Sequence, residues 1–146
     1  MITKTDIYRV YVAGPMSGYV DFNRYKFDLI SGFLNSGKYD GVLSKWPSQK
    51  TVALNPVDID KAFRLDISID EGNLVEWVPF LAQVNELSLQ ICDAVVLLPG
   101  WGKSKGAIHE LSLAHRLELD LYKVSEECDL QPVLYSDMIS EIKSYA

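Results

Sequence analysis

The fold is decided by Cys92-Asp93-Ala94-Val95-Val96-Leu97-Leu98-Pro99-Gly100-Trp101-Gly102-Lys103-Ser104-Lys105-Gly106-Ala107. Ala94–Leu98 is a continuous apolar run between an acid and Pro-Gly, the pattern of a central parallel strand buried on both faces. The loop that follows carries glycines, and a helical pattern then runs from about Ala107 to Glu118. Strand, glycine loop and helix in that order make one unit of an alternating α/β domain.

The same alternation extends in both directions. Ile7–Ala13, rich in Val and Tyr and closed by Gly14-Pro15, reads as a buried strand. Asp21–Ser36 has a wide apolar face, with Gly37 where a helix C-cap belongs. Lys38–Lys50 reads as an irregular excursion. Thr51–Leu54 reads as a second strand stopped by Asn55-Pro56, and Val57–Gly72 as a loop at the active site. Asn73 with Glu76 is a capping-box pattern for a helix through Ile91, kinked or begun at Pro79. Its apolar stripe is Phe80, Val84, Leu87 and Ile91. Leu119–Val124 and Gln131–Tyr135 supply two more strands, and Asp137–Tyr145 a last helix. The expected fold is a three-layer α/β sandwich, flavodoxin-like or Rossmann-like, around a parallel sheet of about five strands. Ligands of such sheets bind beyond the carboxyl ends of the strands, which points to Gly14–Gly18 and Pro99–Gly106.

With 146 residues and no linker or repeat, residues 1–146 read as a single domain. Apolar residues make up 48% and charged residues 23%, a composition that argues against disorder. There are 14 Lys+Arg against 20 Asp+Glu, a formal net charge of -6, which argues against a nucleic-acid polymer as partner. No apolar run is long enough to span a membrane. Met1–Asp6 is polar and has no apolar signal core, so a cytoplasmic protein is expected. Cys92 and Cys128 are too few for a disulfide framework or a thiolate metal site. His109 and His115 lack a metal-pair spacing, and no metal or cofactor is expected.

Glu110 stands out by helical geometry. With Ala107 at zero and about 100° per residue, Leu111, Ala114 and Leu117 define an apolar arc, and Glu110 falls inside it near −60°. His109 and Arg116 point the other way. A carboxylate on the buried side of a helix is costly unless it has a partner or a task, although it can also sit at the edge of a core and reach solvent. The loop before that helix is suited to one phosphate: glycines let backbone amides converge, Ser104 brings a hydroxyl, and Lys103 and Lys105 bring positive charge. The spacing is not that of a Walker loop, and the first loop lacks a dinucleotide fingerprint. The plainer reading of the second loop is an ordinary connection with Ser104 as helix cap. The plainer reading of Tyr11 is a strand aromatic.

Two stretches together carry a resemblance. Val10-Tyr11-Val12-Ala13-Gly14-Pro15-Met16-Ser17-Gly18 with Phe22-Asn23, and Cys92 to Trp101 followed by Ser104-x-Gly106-Ala107-x-x-Glu110, resemble the nucleoside 2-deoxyribosyltransferase-like superfamily. The likeness is closest to its small bacterial and phage branch of unknown function, related to 2'-deoxynucleoside 5'-monophosphate N-glycosidases. Asn55-Pro56 matches a lesser landmark, and the likeness covers roughly Val10 to Leu119. It implies a flavodoxin-like fold, a homodimer or higher homo-oligomer, and cleavage of the N-glycosidic bond of a nucleoside or nucleotide by hydrolysis or by transfer to another base. It implies Glu110 as the nucleophile at C1' of the sugar and Tyr11 as the tyrosine touching it. Asp93 and the loop residues Gly14, Pro15, Met16, Ser17, Gly18, Phe22, Asn23, Gly100, Trp101, Ser104 and Gly106 become candidate substrate contacts, with Trp101 or Phe22 stacking on the base. Six residues before the nucleophile the family has Asp for free nucleosides and Ser for monophosphates; Ser104 favours a 5'-monophosphate.

One position departs from the family pattern. Where the superfamily has an Asp assisting the base or the sugar, this chain has Asn85, which orients a ligand but donates no proton as an acid would. Asn85 therefore keeps open the alternative of a nucleotide-binding sensor or sequestering protein that uses the same pocket without turnover. A flavin-binding flavodoxin-like domain is a third reading, against which a colourless protein would count.

Overall fold

A computed structural model describes residues 6–16, 18–58 and 83–144, with the backbone alone at 21, 22, 143 and 144. The expected Asn73/Glu76 capping box, Pro79 and Phe80 lie outside the described residues. The chain runs through β1 (Ile7–Ala13), a 3-10 turn (Val20–Asn23), α1 (Arg24–Asn35) and β2 (Lys50–Leu54). Residues 83–90 are helical and precede β3 (Ala94–Leu97). A second 3-10 turn (Trp101–Lys103), α2 (Lys105–Arg116), β4 (Asp120–Val124), β5 (Leu130–Pro132) and α3 (Tyr135–Ser144) complete it.

The strands form one five-stranded sheet in the order β2-β1-β3-β4-β5. β1 pairs parallel with β2 and β3, and β3 parallel with β4. The β4–β5 pair is antiparallel, so the sheet is mixed rather than wholly parallel. The turn 125–129 explains this: a parallel partner needs a crossover of a dozen residues or so, and a short turn allows only a hairpin. Cys128 closes the turn at φ 66, with its N–H bonded to the Ser125 carbonyl at 2.9 Å. Pro132 is tolerated in β5 because that strand is an edge.

Alternation along the strands sorts the core into two layers. Tyr8, Val10 and Val12 of β1, Ala94 and Val96 of β3, and Tyr122 and Val124 of β4 pack with Phe27, Ile30 and Leu34 of α1. Tyr11 and Ala13, with Val95 and Leu97, pack on the opposite side with Ala107, Leu111 and Ala114 of α2 and with Leu89 and Cys92. α1 stops in a Schellman turn: Gly37 has φ 84, its N–H reaches the Leu34 carbonyl, and the Lys38 N–H reaches that of Phe33.

The excursion after α1 is tied down rather than loose. The Tyr39 hydroxyl donates to the Cys128 carbonyl at 2.7 Å, and the Ser44 N–H donates to the Tyr122 hydroxyl at 2.7 Å. Asn55 stops β2 and opens a helical turn, accepting the Val57 N–H at 3.0 Å with Pro56 at the first helical position. The expected stripe on the helix before β3 is corrected. Leu87 and Ile91 are 63% and 59% exposed, whereas Leu89 is fully buried, because the sheet meets this helix on the Leu89 side. Leu117 likewise lies at the surface, at 37% exposure, beyond the end of α2.

Candidate functional site

Two glycines bring the exits of β1 and β3 together. A Cβ on Gly14 would lie 2.8 Å from the Leu98 Cβ, so only glycine permits this approach, and the Leu98 N–H bonds to the Ala13 carbonyl at 2.8 Å. Gly100 has φ +86, and a Cβ there would lie 2.9 Å from the Tyr19 hydroxyl and 3.3 Å from Pro15 Cγ. Pro15 is buried between these loops, and its carbonyl accepts the Asn23 side-chain N–H at 2.9 Å. Asn23 adopts φ 64 at the start of α1 and makes no side-chain cap bond there. It holds the first loop closed instead. Met16 packs at the edge of the α1 layer, and Gly18 is exposed at φ +82. Ser17 and the side chain of Phe22 lie outside the described residues.

On the opposite face of the sheet, the Tyr11 hydroxyl donates a hydrogen bond to the Glu110 carboxylate. Tyr11 is fully buried in the core beneath α2, and Glu110 is half-buried. The helical arc drawn from sequence holds in part: Ala107, Leu111 and Ala114 are buried and His109 is exposed, whereas Leu117 leaves the arc, and Glu110 is turned towards β1 by its bond to Tyr11. Both readings offered for Ser104 bear on the loop. Its side-chain oxygen caps α2 by accepting the Ala107 N–H at 3.2 Å. A hydroxyl used as an acceptor still has a proton to donate. Ser104 and Glu110 are separated by about 9 Å along the helix axis at 1.5 Å per residue. Gly106 is exposed in the first turn of α2, next to Lys105.

Asn85 lies on the helix that reaches the same face through Leu89. Its side-chain oxygen is buried and has no hydrogen-bond partner among the described residues. The neighbouring Glu86 contacts His109 Nε2 at 2.6 Å, which ties the Asn85 helix to α2. The sequence pointed to neither partner of that clasp, because two surface residues on separate helices share no local pattern.

Two expected contacts stand elsewhere. Asp93 precedes β3 at the amino end of the sheet, where its carboxylate accepts the Arg9 N–H at 2.8 Å; Gly100 follows β3 at the other end. Asp93 thus serves the register of β1 against β3 and is not brought together with the loops. Trp101 is 3% exposed and packed with Tyr11, Ala107 and Met138, so its ring offers no face to a base. Burial also pushes the Cys92 thiol up to about 12, with Asp93 adding to the effect, and a thiol held protonated is no nucleophile at neutral pH. Among the described residues no group of His, Cys, Asp or Glu is placed to hold a metal ion. None of the described helices is long and apolar enough to cross a membrane.

A model of a domain of unknown function, DUF4406, matches residues 8–123. The chain belongs to the DUF4406 family. The DUF4406 match takes in β1 with Tyr11, the Asn85 helix, the β3 exit, Ser104 and Glu110, and it ends within β4. No curated protein and no solved structure matches the chain significantly.

Proposed function

We propose that this protein cleaves the N-glycosidic bond of a deoxynucleoside 5'-monophosphate, or of a deoxynucleoside, with Glu110 as nucleophile. The observation that carries the reading is the bond from Tyr11 to Glu110, which orients a half-buried carboxylate on a helix whose amino end lies at the β3 exit. In the first step a Glu110 oxygen bonds to C1' of the sugar. The C1'–N bond breaks, and the base leaves with the electron pair and takes up a proton. In the second step water, or the nitrogen of another base, attacks C1', the ester bond to Glu110 breaks, and the attacking group sheds its proton. A carboxylate beside C1' offsets the positive charge that builds on the sugar, as in retaining glycosidases.

The 5'-phosphate is assigned to the amino end of α2, where the Ser104 hydroxyl, the first-turn backbone amides of Lys105 and Gly106 and the helix dipole favour an anion. The spacing of Ser104 from Glu110 suits a sugar with a phosphate on its 5' carbon. The strand order 2-1-3-4-5 supports a flavodoxin-like fold, whose ligands sit where the strand order reverses. The test is incubation with dCMP, dGMP, dAMP and dUMP and with the matching deoxynucleosides, scored by release of free base. Release that depends on Glu110 supports the proposal; no release from any of them at high enzyme concentration removes it.

Asn85 favours a second reading, in which the pocket binds a nucleotide without cleaving it. An amide cannot protonate a departing base as an acid does. Calorimetry combined with product analysis separates the two: tight binding with the nucleotide recovered intact supports the sensor.

A further inference from the structure

The helix before β3 carries two apolar faces. Leu89 is fully buried and packs with Tyr11 of β1 and Leu111 of α2. On the other face, Phe80, Val84, Leu87 and Ile91 follow one another in the sequence at spacings of 4-3-4, the alternation of a coiled-coil seam. Val84 is half-buried, and Leu87 and Ile91, one turn apart, are exposed. A helix whose only task is to cover a sheet turns polar residues outward. This one presents a leucine and an isoleucine side by side to solvent, a patch of the kind that marks an interaction surface.

The flanks of the seam say what covers it. Gln83, Ser88 and Gln90 hold the positions beside it, where paired helices accept or reject a partner by charge, and none of the three is charged. Glu86 is the one charged residue from 83 to 91, and it is turned to α2, where its carboxylate contacts His109 at 2.6 Å. The chain as a whole has a net charge of -6, so two copies that meet elsewhere tend to bring like charges together. Through this face they bring none. An acidic or basic partner finds nothing here to pair with, whereas an uncharged apolar seam fits a surface of its own kind, and every copy of the chain supplies one. Val84 and Ile91 at one heptad position, with Leu87 at the other, is also the combination that favours two strands.

We infer that the seam of Val84, Leu87 and Ile91 docks on the same seam of a second copy of this chain, about a two-fold axis. The sequence likeness implies an oligomer without naming a face; these residues supply the face. The seam is shorter than a standard interface, so the dimer is weak, with Kd in the micromolar range or above. The test is sedimentation velocity of the full chain from micromolar to millimolar concentration, at low and at high NaCl. A monomer–dimer equilibrium is expected, shifted towards dimer by salt, because screening relieves the repulsion between acidic copies and leaves apolar contact in place. Leu87→Gln weakens it about a hundredfold or more, the scale of one leucine uncovered on each copy. Ile91→Glu abolishes it. Leu134→Glu, at a similarly exposed leucine between β5 and α3, leaves it unchanged. Leu87 and Ile91 are exposed, so both seam variants keep the urea midpoint of the wild type at dilutions where the wild type is monomeric. A chain that stays monomeric at millimolar concentration overturns the inference. So does a dimer that salt dissolves, that Leu87→Gln and Ile91→Glu leave intact, or that Leu134→Glu breaks. Failure of Glu110-dependent base release leaves it standing.

Discussion

The Tyr11 hydroxyl of β1 donates to the Glu110 carboxylate of α2 across 99 residues of sequence. Two periodicities bring them together. Period two along β1 turns Tyr11 to the α2 side, away from Val10 and Val12. The helical period turns Glu110 to the side of Leu111 and Ala114. In the proposed mechanism the phenol orients the nucleophilic carboxylate, which acts on the reaction more than on binding. Tyr11→Phe is therefore expected to lower kcat for base release about 10²-fold, the scale of one lost hydrogen-bond donor in an active site, with KM little changed. Steady-state kinetics on the best deoxynucleotide check this.

Ser104 carries two assignments that mutation can separate. As helix cap it accepts the Ala107 N–H. Ser104→Ala is expected to cost about 1 kcal/mol of stability, and Ser104→Gly only a few tenths. As phosphate ligand its hydroxyl is lost equally in both. Urea denaturation should rank the variants differently from one another, while KM for a 5'-monophosphate rises in both and KM for the free deoxynucleoside in neither.

Gly100 occupies a conformation that side chains rarely adopt, at φ +86, against Tyr19 and Pro15. Gly100→Ala is expected to destabilise the fold by roughly 1–3 kcal/mol, from backbone strain and the close contacts together. A fall in Tm measures it. Gly18→Ala, at φ +82 with nothing near its Cβ position, should cost less.

Tyr8 is buried, and its hydroxyl donates to Asp120 at 2.6 Å and lies 3.4 Å from the Tyr122 hydroxyl. Burial, then the bonds to Asp120 and Tyr122, raise its pKa well above the ordinary 10.0. Burial also pushes Tyr39 up to about 12. Below pH 10 both folded and unfolded chains keep these protons, and the stabilisation is fully present. Above pH 10 the unfolded chain releases them while the folded chain holds them, so stability falls as pH rises. Denaturation followed across that range should show the decline, and Tyr8→Phe should make it shallower while costing about 1 kcal/mol at neutral pH.

Much of this site could be read from short-range pattern. Ile7–Ala13 has the bounds expected, and Glu110 was singled out by the phase of a single helix. Those features rest on local rules. The antiparallel β5 escaped because its direction depends on the length of the turn 125–129 rather than on its own residues. The misread stripe at Leu87 and Ile91 shows the other limit: periodicity defines an apolar face but does not say where the sheet lies. Trp101 and Asp93 lie in motif stretches, yet one is spent on the core and the other on strand register. Lys26 and Glu126 meet only because the fold brings the β4–β5 turn against α1.

In the proposed mechanism the Glu110 carboxylate bonds to C1' of the sugar. The most direct test of that bond is mass spectrometry of protein quenched during turnover of a deoxynucleotide, followed by peptide mapping. Expected are one deoxyribosyl phosphate on the Glu110 peptide of the wild type, no adduct in Glu110→Gln, and base release lowered by ~10³-fold or more in that variant. Base release that persists undiminished in Glu110→Gln, or an adduct on another residue, would contradict it.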